Sequence, residues 1–398
     1  YNYYLIVVAI FTMISAYVAR LGLGIGSSIS LVGFLLIIPL FIYSINWNST
    51  IVPALNMFDY SFAFVAFSTV SLFLGLVFSA LLTLFYSKTA IGWVSGQLLG
   101  TMIVTICAVL YVIKKDLITI KKEKLVLGKI AYIRLLKFSL PLALATGGIW
   151  LQQQSYRLVV EKLKGGSALA QLSVGFAVAA SISSAVEAIA TQIAGPRFYS
   201  QITSDKKEDR DRAWYEYASF LVPIYLITFM YIVNLAKPLM LVLIGSSYHN
   251  SFTYVVWGAL IELLRVVNNV ISNAAHAEYR TERLIVPYLT GGSIVLFGTW
   301  LLIASTGSMQ YLPAVIVFSG IVVMVLILFS VRRVSVLSID LKGIIKTIIL
   351  SIPLLIFKIF SLKEMNILSA IIVCSFAGLY YLFIFTKLVS TKKNILSI

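Results

Sequence analysis

Charge is scarce in this chain. Only 12% of its 398 residues are Asp, Glu, Lys or Arg, while 60% are hydrophobic, and mean hydropathy is +0.98. A water-soluble fold of this length has too little core to hide so much apolar surface, so the bilayer is the solvent that fits. Cysteine is nearly absent. Cys107 and Cys374 both sit in apolar runs, which excludes a disulfide framework and a thiolate metal site. His249 and His276 are too few for a histidine-based metal centre, and no cofactor is expected. No GxxxxGK[ST] occurs, and the longest stretch between apolar runs is only about 25 residues, which leaves no room for a nucleotide-binding domain. Any transport must therefore draw on an H+ or Na+ gradient or on the cargo's own gradient.

What is abundant is apolar sequence. A spanning helix takes ~20 mostly apolar residues. Twelve such segments are expected: 2–19, 27–50, 60–86, 90–113, 138–161, 167–194, 216–236, 251–276, 285–305, 311–331, 343–361 and 366–387. The fold class is thus all-α and polytopic. The net charge of +16 would point to nucleic acid in a soluble protein. Here 22 of the 31 Lys and Arg fall in alternate connections: 114–137, 197–212, 280–283, 332–346 and the tail. That bias places those connections and the C-terminus in the cytoplasm and excludes a nucleic-acid partner. The connection near 51–59 falls on the same side without Lys or Arg. The long basic run 114–137 suits either a solvated linker or an amphipathic helix resting on anionic membrane lipid. SDKKEDRDRAWYEYAS mixes both signs densely and reads as a solvated helical extension.

Three spans carry polar groups that cost ~2.5–3.5 kcal/mol each when charged at a membrane centre, and such groups usually face a bundle interior or a watery cavity. In GGIWLQQQSYRLVV, three glutamines (Gln152, Gln153, Gln154) precede Arg157. Gln153, Arg157 and Glu161 share one helical face. Glu161 lies near the outer end with Lys162 and Lys164, where all three can snorkel. Arg157 is one turn deeper, either an interfacial anchor, a partner of Glu161 or a cavity-lining cation. In 251–276, Glu262, Arg265, Asn269, Ser272 and His276 form a stripe at three- or four-residue steps, with Asn268 beside it. Such a stripe is either interhelical glue or a cavity wall. In 167–194, Ser183, Ser184, Glu187 and Thr191 line one side among alanines. Glu187 is a candidate coupling carboxylate, or else the standing partner of an arginine. Arg20 and Asp59 read as interfacial.

The segment LLKFSLPLALATGGIWLQQQSYRLVVEKLKGGSALAQLSVGFAVAASIS, after a long basic connection, resembles the start of the second lobe in polysaccharide (O-antigen-type) flippases of the multidrug/oligosaccharidyl-lipid/polysaccharide exporter superfamily. Pro141 and Arg157 match that family's proline and arginine, and Tyr156 stands where an Asp is usual. The resemblance runs best from about 55 to 335. It implies two helical lobes around a central cavity, with 1–113 the remainder of the first lobe, 114–137 the cytoplasmic connection, 138–331 a six-helix second lobe and 332–398 an extra helix pair and tail. The chain opens on Tyr1, and two helices of a fourteen-helix member are expected to precede it.

The activity implied is translocation of an undecaprenyl-pyrophosphate-linked oligosaccharide, an O-antigen or capsule repeat unit, across the bacterial cytoplasmic membrane by alternating access. Other membrane proteins of polysaccharide assembly are the implied partners. A pyrophosphate needs cations, for which Arg157 and Arg265 are the candidates. Sugars need amides and hydroxyls, for which Gln153, Asn268, Asn269 and Ser272 are the candidates. Glu187 and Glu262 are the candidates for ion coupling. Two competing activities are an ion-coupled multidrug or cation antiporter and a membrane polymerase or acyltransferase. The short outer connections and the absence of a His/Asp pair at a membrane face weigh against the enzymes.

Overall fold

The computed structural model describes residues 2–23, 31–86, 88–115, 117, 129–333, 335–361 and 365–391. Within them the protein is an all-α polytopic membrane protein. The chain divides into two compact units, Tyr1–Leu125 and Val126–Ile398.

The first unit holds α1 (Asn2–Leu23), α2 (Leu31–Met57), α3 (Ser61–Phe85) and α4 (Ala90–Lys114). Small residues let α3 and α4 meet backbone to backbone. A Cβ on Gly100 would lie 2.6 Å from the Gly75 Cα, and the Ser79 hydroxyl donates to the Trp93 carbonyl at 2.8 Å. Hydroxyl and amide pairs, Ser44 to Thr101 and Asn48 to Thr105, tie α2 to α4.

The second unit runs from α5 (Lys129–Lys164) and α6 (Gly166–Gln201) through α7 (Lys207–Asn234), the short α8 (Ala236–Leu243) and α9 (Phe252–Ala277). It continues with α10 (Ile285–Thr306), α11 (Leu312–Val331), α12 (Leu341–Ser351), α13 (Leu354–Ser361) and α14 (Ile367–Thr391). A single residue, Gly165, turns α5 into α6, and its φ of +82° is one that only glycine adopts at no steric cost. Gly148 and Gly292 bring α5 and α10 into close contact: a Cβ on Gly148 would sit 2.7 Å from the Tyr288 carbonyl carbon. α9 packs against α6, α7 and α11. It is the central helix of the unit, which is why its polar stripe faces protein.

Eleven of the twelve expected spans each fall mainly on one helix, with residues 27–30 of the second span outside the described residues. The twelfth, 343–361, is two pieces, α12 and α13. Pro353 has no N–H to continue the ladder, and the backbone tightens there into i→i+3 bonds from Leu355 to Ile352 and from Ile356 to Pro353. The outer connection after 235 forms α8 and a 3₁₀ turn over Ser246–Ser251. The solvated extension 204–219 is only partly so: Trp214 and Tyr217 are buried, and the Trp214 indole donates to the Val270 carbonyl at 2.9 Å. The middle of the basic run, 118–128 with Lys121, Lys122 and Lys124, lies outside the described residues, and with it the choice between linker and amphipathic helix.

Nine helices among the described residues are long and apolar enough to cross a membrane. α1 and α5 are not among them; the apolar run of α5 lies between Arg134 and Lys137 on one side and the three glutamines on the other.

Candidate functional site

The polar groups of α5, α6 and α9 converge inside the second unit. Arg265 lies midway along α9. Its Nε donates to Glu262 Oε2 at 2.7 Å, one turn back on the same helix. Its NH2 group donates to Glu187 Oε2 on α6, also at 2.7 Å. Asn269 Nδ2 then donates to the other Glu187 oxygen at 3.2 Å. The side chains of Glu187, Glu262 and Arg265 are 21%, 13% and 19% exposed, so the cluster is mostly withdrawn from solvent. Two carboxylates share one guanidinium, which fits arginine's fork of donors better than a lysine.

Two cavities flank this cluster. The first, of about 310 Å³, is lined by Gln153, Gln154 and Arg157 from α5 and by Glu262, Arg265 and Asn268 from α9. The second, of about 410 Å³, is lined by Glu187 and Thr191 from α6, by Ser272, Asn273 and His276 from α9, and by tyrosines including Tyr217 and Tyr225 of α7. Asn269 and Tyr288 line both. The Glu187–Arg265–Glu262 cluster is therefore the wall between the two, with Glu262 on one side and Glu187 on the other.

Six of the eight sequence-named residues, Gln153, Arg157, Glu262, Arg265, Asn268 and Asn269, line the first cavity; Glu187 and Ser272 line the second. Their states differ. Arg265 is doubly ion-paired. Arg157 has no ion pair among the described residues; its Nε donates to the Tyr156 hydroxyl at 3.3 Å, and its guanidinium lies 5.8 Å from that ring's centre. Pairing with Glu161, one of the three alternatives for it, is not formed among the described residues. Arg157 is seven residues from the end of α5, about 10 Å along the axis. Asn268 is buried; it donates to the Gly320 carbonyl at 3.1 Å, and that bond fixes which end of its amide is which. Ser272 shares a 2.8 Å hydrogen bond with the Tyr288 hydroxyl, so its group is spent joining α9 to α10.

The three glutamines divide in the same way. Gln152 Nε2 donates to the Ser319 hydroxyl at 3.0 Å, and Ser319 donates to the Gly291 carbonyl at 2.9 Å. That relay joins α5, α11 and α10. Gln153 and Gln154 make no hydrogen bond among the described residues and face the first cavity. Sequence reasoning missed Tyr288 and Ser319, and noted Tyr156 only as a departure from the family's pattern. A lone tyrosine or serine in an apolar span, outside a polar stripe, carries no signal until its partner is known.

No family model matches the chain, and no curated protein does. Solved structures do. A lipid II flippase, MurJ, in its inward closed conformation aligns over 97% of this chain and 80% of its own, at 16% identity and a TM-score of 0.60. A multidrug resistance MATE transporter of the MOP superfamily, outward-facing, aligns over 82% of this chain and 76% of its own, at 12% identity and a TM-score of 0.60. A MATE protein in the straight conformation aligns over the same shares at 13% identity, with a TM-score of 0.59. This multi-pass membrane protein has the fold that MurJ and the MATE transporters share.

Proposed function

We propose that this protein is a flippase for a lipid-linked oligosaccharide, carrying the pyrophosphate and sugar head from the cytoplasmic to the periplasmic leaflet of a bacterial cytoplasmic membrane. The observation that carries this reading is Arg157. It is a cation without a carboxylate partner among the described residues, on the wall of a cavity inside a membrane-spanning unit. Leaving such a charge unpaired is costly unless an anion visits it. Its planar fork can bond two phosphate oxygens at once. Gln153 and Gln154, unpartnered on the same wall, offer donors and acceptors to sugar hydroxyls, with Asn268 and Asn269 across the cavity. Arg265 adds field rather than a free fork, since Glu187 and Glu262 hold it. The lipid tail stays in the bilayer while the head crosses.

A fold shared with a lipid II flippase is consistent with this cargo class. The test is reconstitution: purified protein in vesicles should move a fluorescent lipid-linked oligosaccharide between leaflets without altering its mass. A protein that moves none, or changes its mass, contradicts the proposal.

One observation favours a second reading. The other cavity pairs a carboxylate, Glu187, with several tyrosine rings, a lining that suits an organic cation. Cation efflux from the same vesicles, with no lipid movement, would select it.

A further inference from the structure

The two carboxylates that share Arg265 face different cavities, and this has a chemical consequence for the anion site. Glu262 lines the first cavity with Arg157 and Arg265, so the charged lining there is two guanidiniums against one carboxylate. Glu187 lines the second cavity and does not touch the first. Both Glu187 oxygens are occupied, by Arg265 and Asn269. Glu262 uses only Oε2; its Oε1 has no hydrogen-bond partner among the described residues.

Few other charges reach Glu262. Arg265 comes from its own helix and Arg157, with Tyr156, from α5. Glu187 of α6 stands behind Arg265. α10 and α11 carry no Asp, Glu, Lys or Arg, and α10 contributes only the Tyr288 hydroxyl. The charges of α7 lie in its first ten residues, 207–216. Lys237 on α8, His249 in the 3₁₀ turn, and Glu282 and Arg283 in the turn Thr281–Leu284 after α9 lie outside α9's span and line neither cavity.

Resting on the flippase reading, we propose that Glu262 takes up a proton when a pyrophosphate diester binds at Arg157, and that Glu187 is the fixed counter-ion of Arg265. The incoming anion brings two negative charges next to a carboxylate in a site largely withdrawn from water, where like charges repel most strongly. The proton comes from bulk water to Oε1 and returns to it on release. Protonated, Glu262 keeps Oε2 as the acceptor for Arg265 and gains an O–H that can donate to a phosphate oxygen. The lining of the first cavity then carries two positive charges against the anion's two negative ones. Arg265 is left with one full counter-ion, Glu187, braced by Asn269. Cargo binding and proton uptake are thereby linked, and by reciprocity protons tighten cargo binding.

The experiment is titration of the purified full chain with a symmetric dialkyl pyrophosphate, whose charges do not titrate near neutrality, in buffers of different ionisation enthalpy. The expected result is uptake of about one proton per bound anion. Affinity should fall as pH rises, by about tenfold per unit at most, since one proton is linked. Glu262→Gln should bind with a flat pH profile and no uptake. To place the proton, the infrared band of a protonated carboxyl should appear on binding, move in Glu262→Asp and stay in Glu187→Asp. Binding without proton uptake, or a band that follows residue 187, overturns the inference while leaving Arg157 as the anion site. No binding at all overturns both.

Discussion

Arg265 on α9 and Glu187 on α6 meet at 2.7 Å, joining two helices across the wall between two cavities. Because Glu262 takes a second edge of the same guanidinium at 2.7 Å, Arg265 is a structural cation before it is anything else. That separates it from Arg157, which looks equivalent in the sequence and has no carboxylate partner among the described residues.

The first prediction follows from that difference. Removing one member of a buried ion cluster strands the others, at a cost of about 3 kcal/mol or more. Arg265→Ala should lower thermal stability in detergent by that order, and Arg157→Ala, which gives up one hydrogen bond to the Tyr156 hydroxyl, by only about 1 kcal/mol. Equal stability losses would show that Arg157 also has a structural role.

Two adjacent glycines give a packing test. Gly148 meets the α10 backbone, whereas nothing lies within 4 Å of where a Gly147 Cβ would be. Gly148→Val should destabilise by about 1–3 kcal/mol through overpacking, and Gly147→Val should have a small effect. Melting curves of the two variants decide it, and the reverse order would contradict the α5–α10 seam.

Orientation is tested by impermeant thiol labelling of single cysteines in intact cells. Positions 209 and 280, exposed in the basic connections, should be shielded. Positions 165, 247 and 307, exposed on the opposite connections, should be labelled. Labelling at 209 would invert the topology, because the basic residues that set it surround that site.

Most of the fold was legible because spanning a bilayer demands long apolar runs and little else. The single misjudged span, 343–361, failed because apolar content cannot show that Pro353 ends a helix when Pro39, Pro141 and Pro223 sit inside continuous ones. The candidate site was legible as a set of residues, since amides and charges in apolar helices are conspicuous. Their states were open: an arginine partner was one of two alternatives for Glu187, and which arginine it would be was not readable. Arg157 and Arg265 carry the same side chain in similar surroundings, and only the approach of α6 makes one a shared counter-ion. Likewise nothing in QQQ tells Gln152, which is held by Ser319, from Gln153, which is not.

The central claim is that Arg157 holds the pyrophosphate, and leaflet transfer of a lipid-linked oligosaccharide by Arg157 variants at matched protein levels tests it most directly. Arginine bonds two phosphate oxygens through its fork, and lysine keeps the charge but loses the fork. Arg157→Lys should therefore be impaired, and Arg157→Ala more so, with both variants inserted and folded. A snorkelling anchor predicts that Arg157→Lys is nearly silent, because lysine snorkels as well. Full transfer by Arg157→Ala would contradict the account.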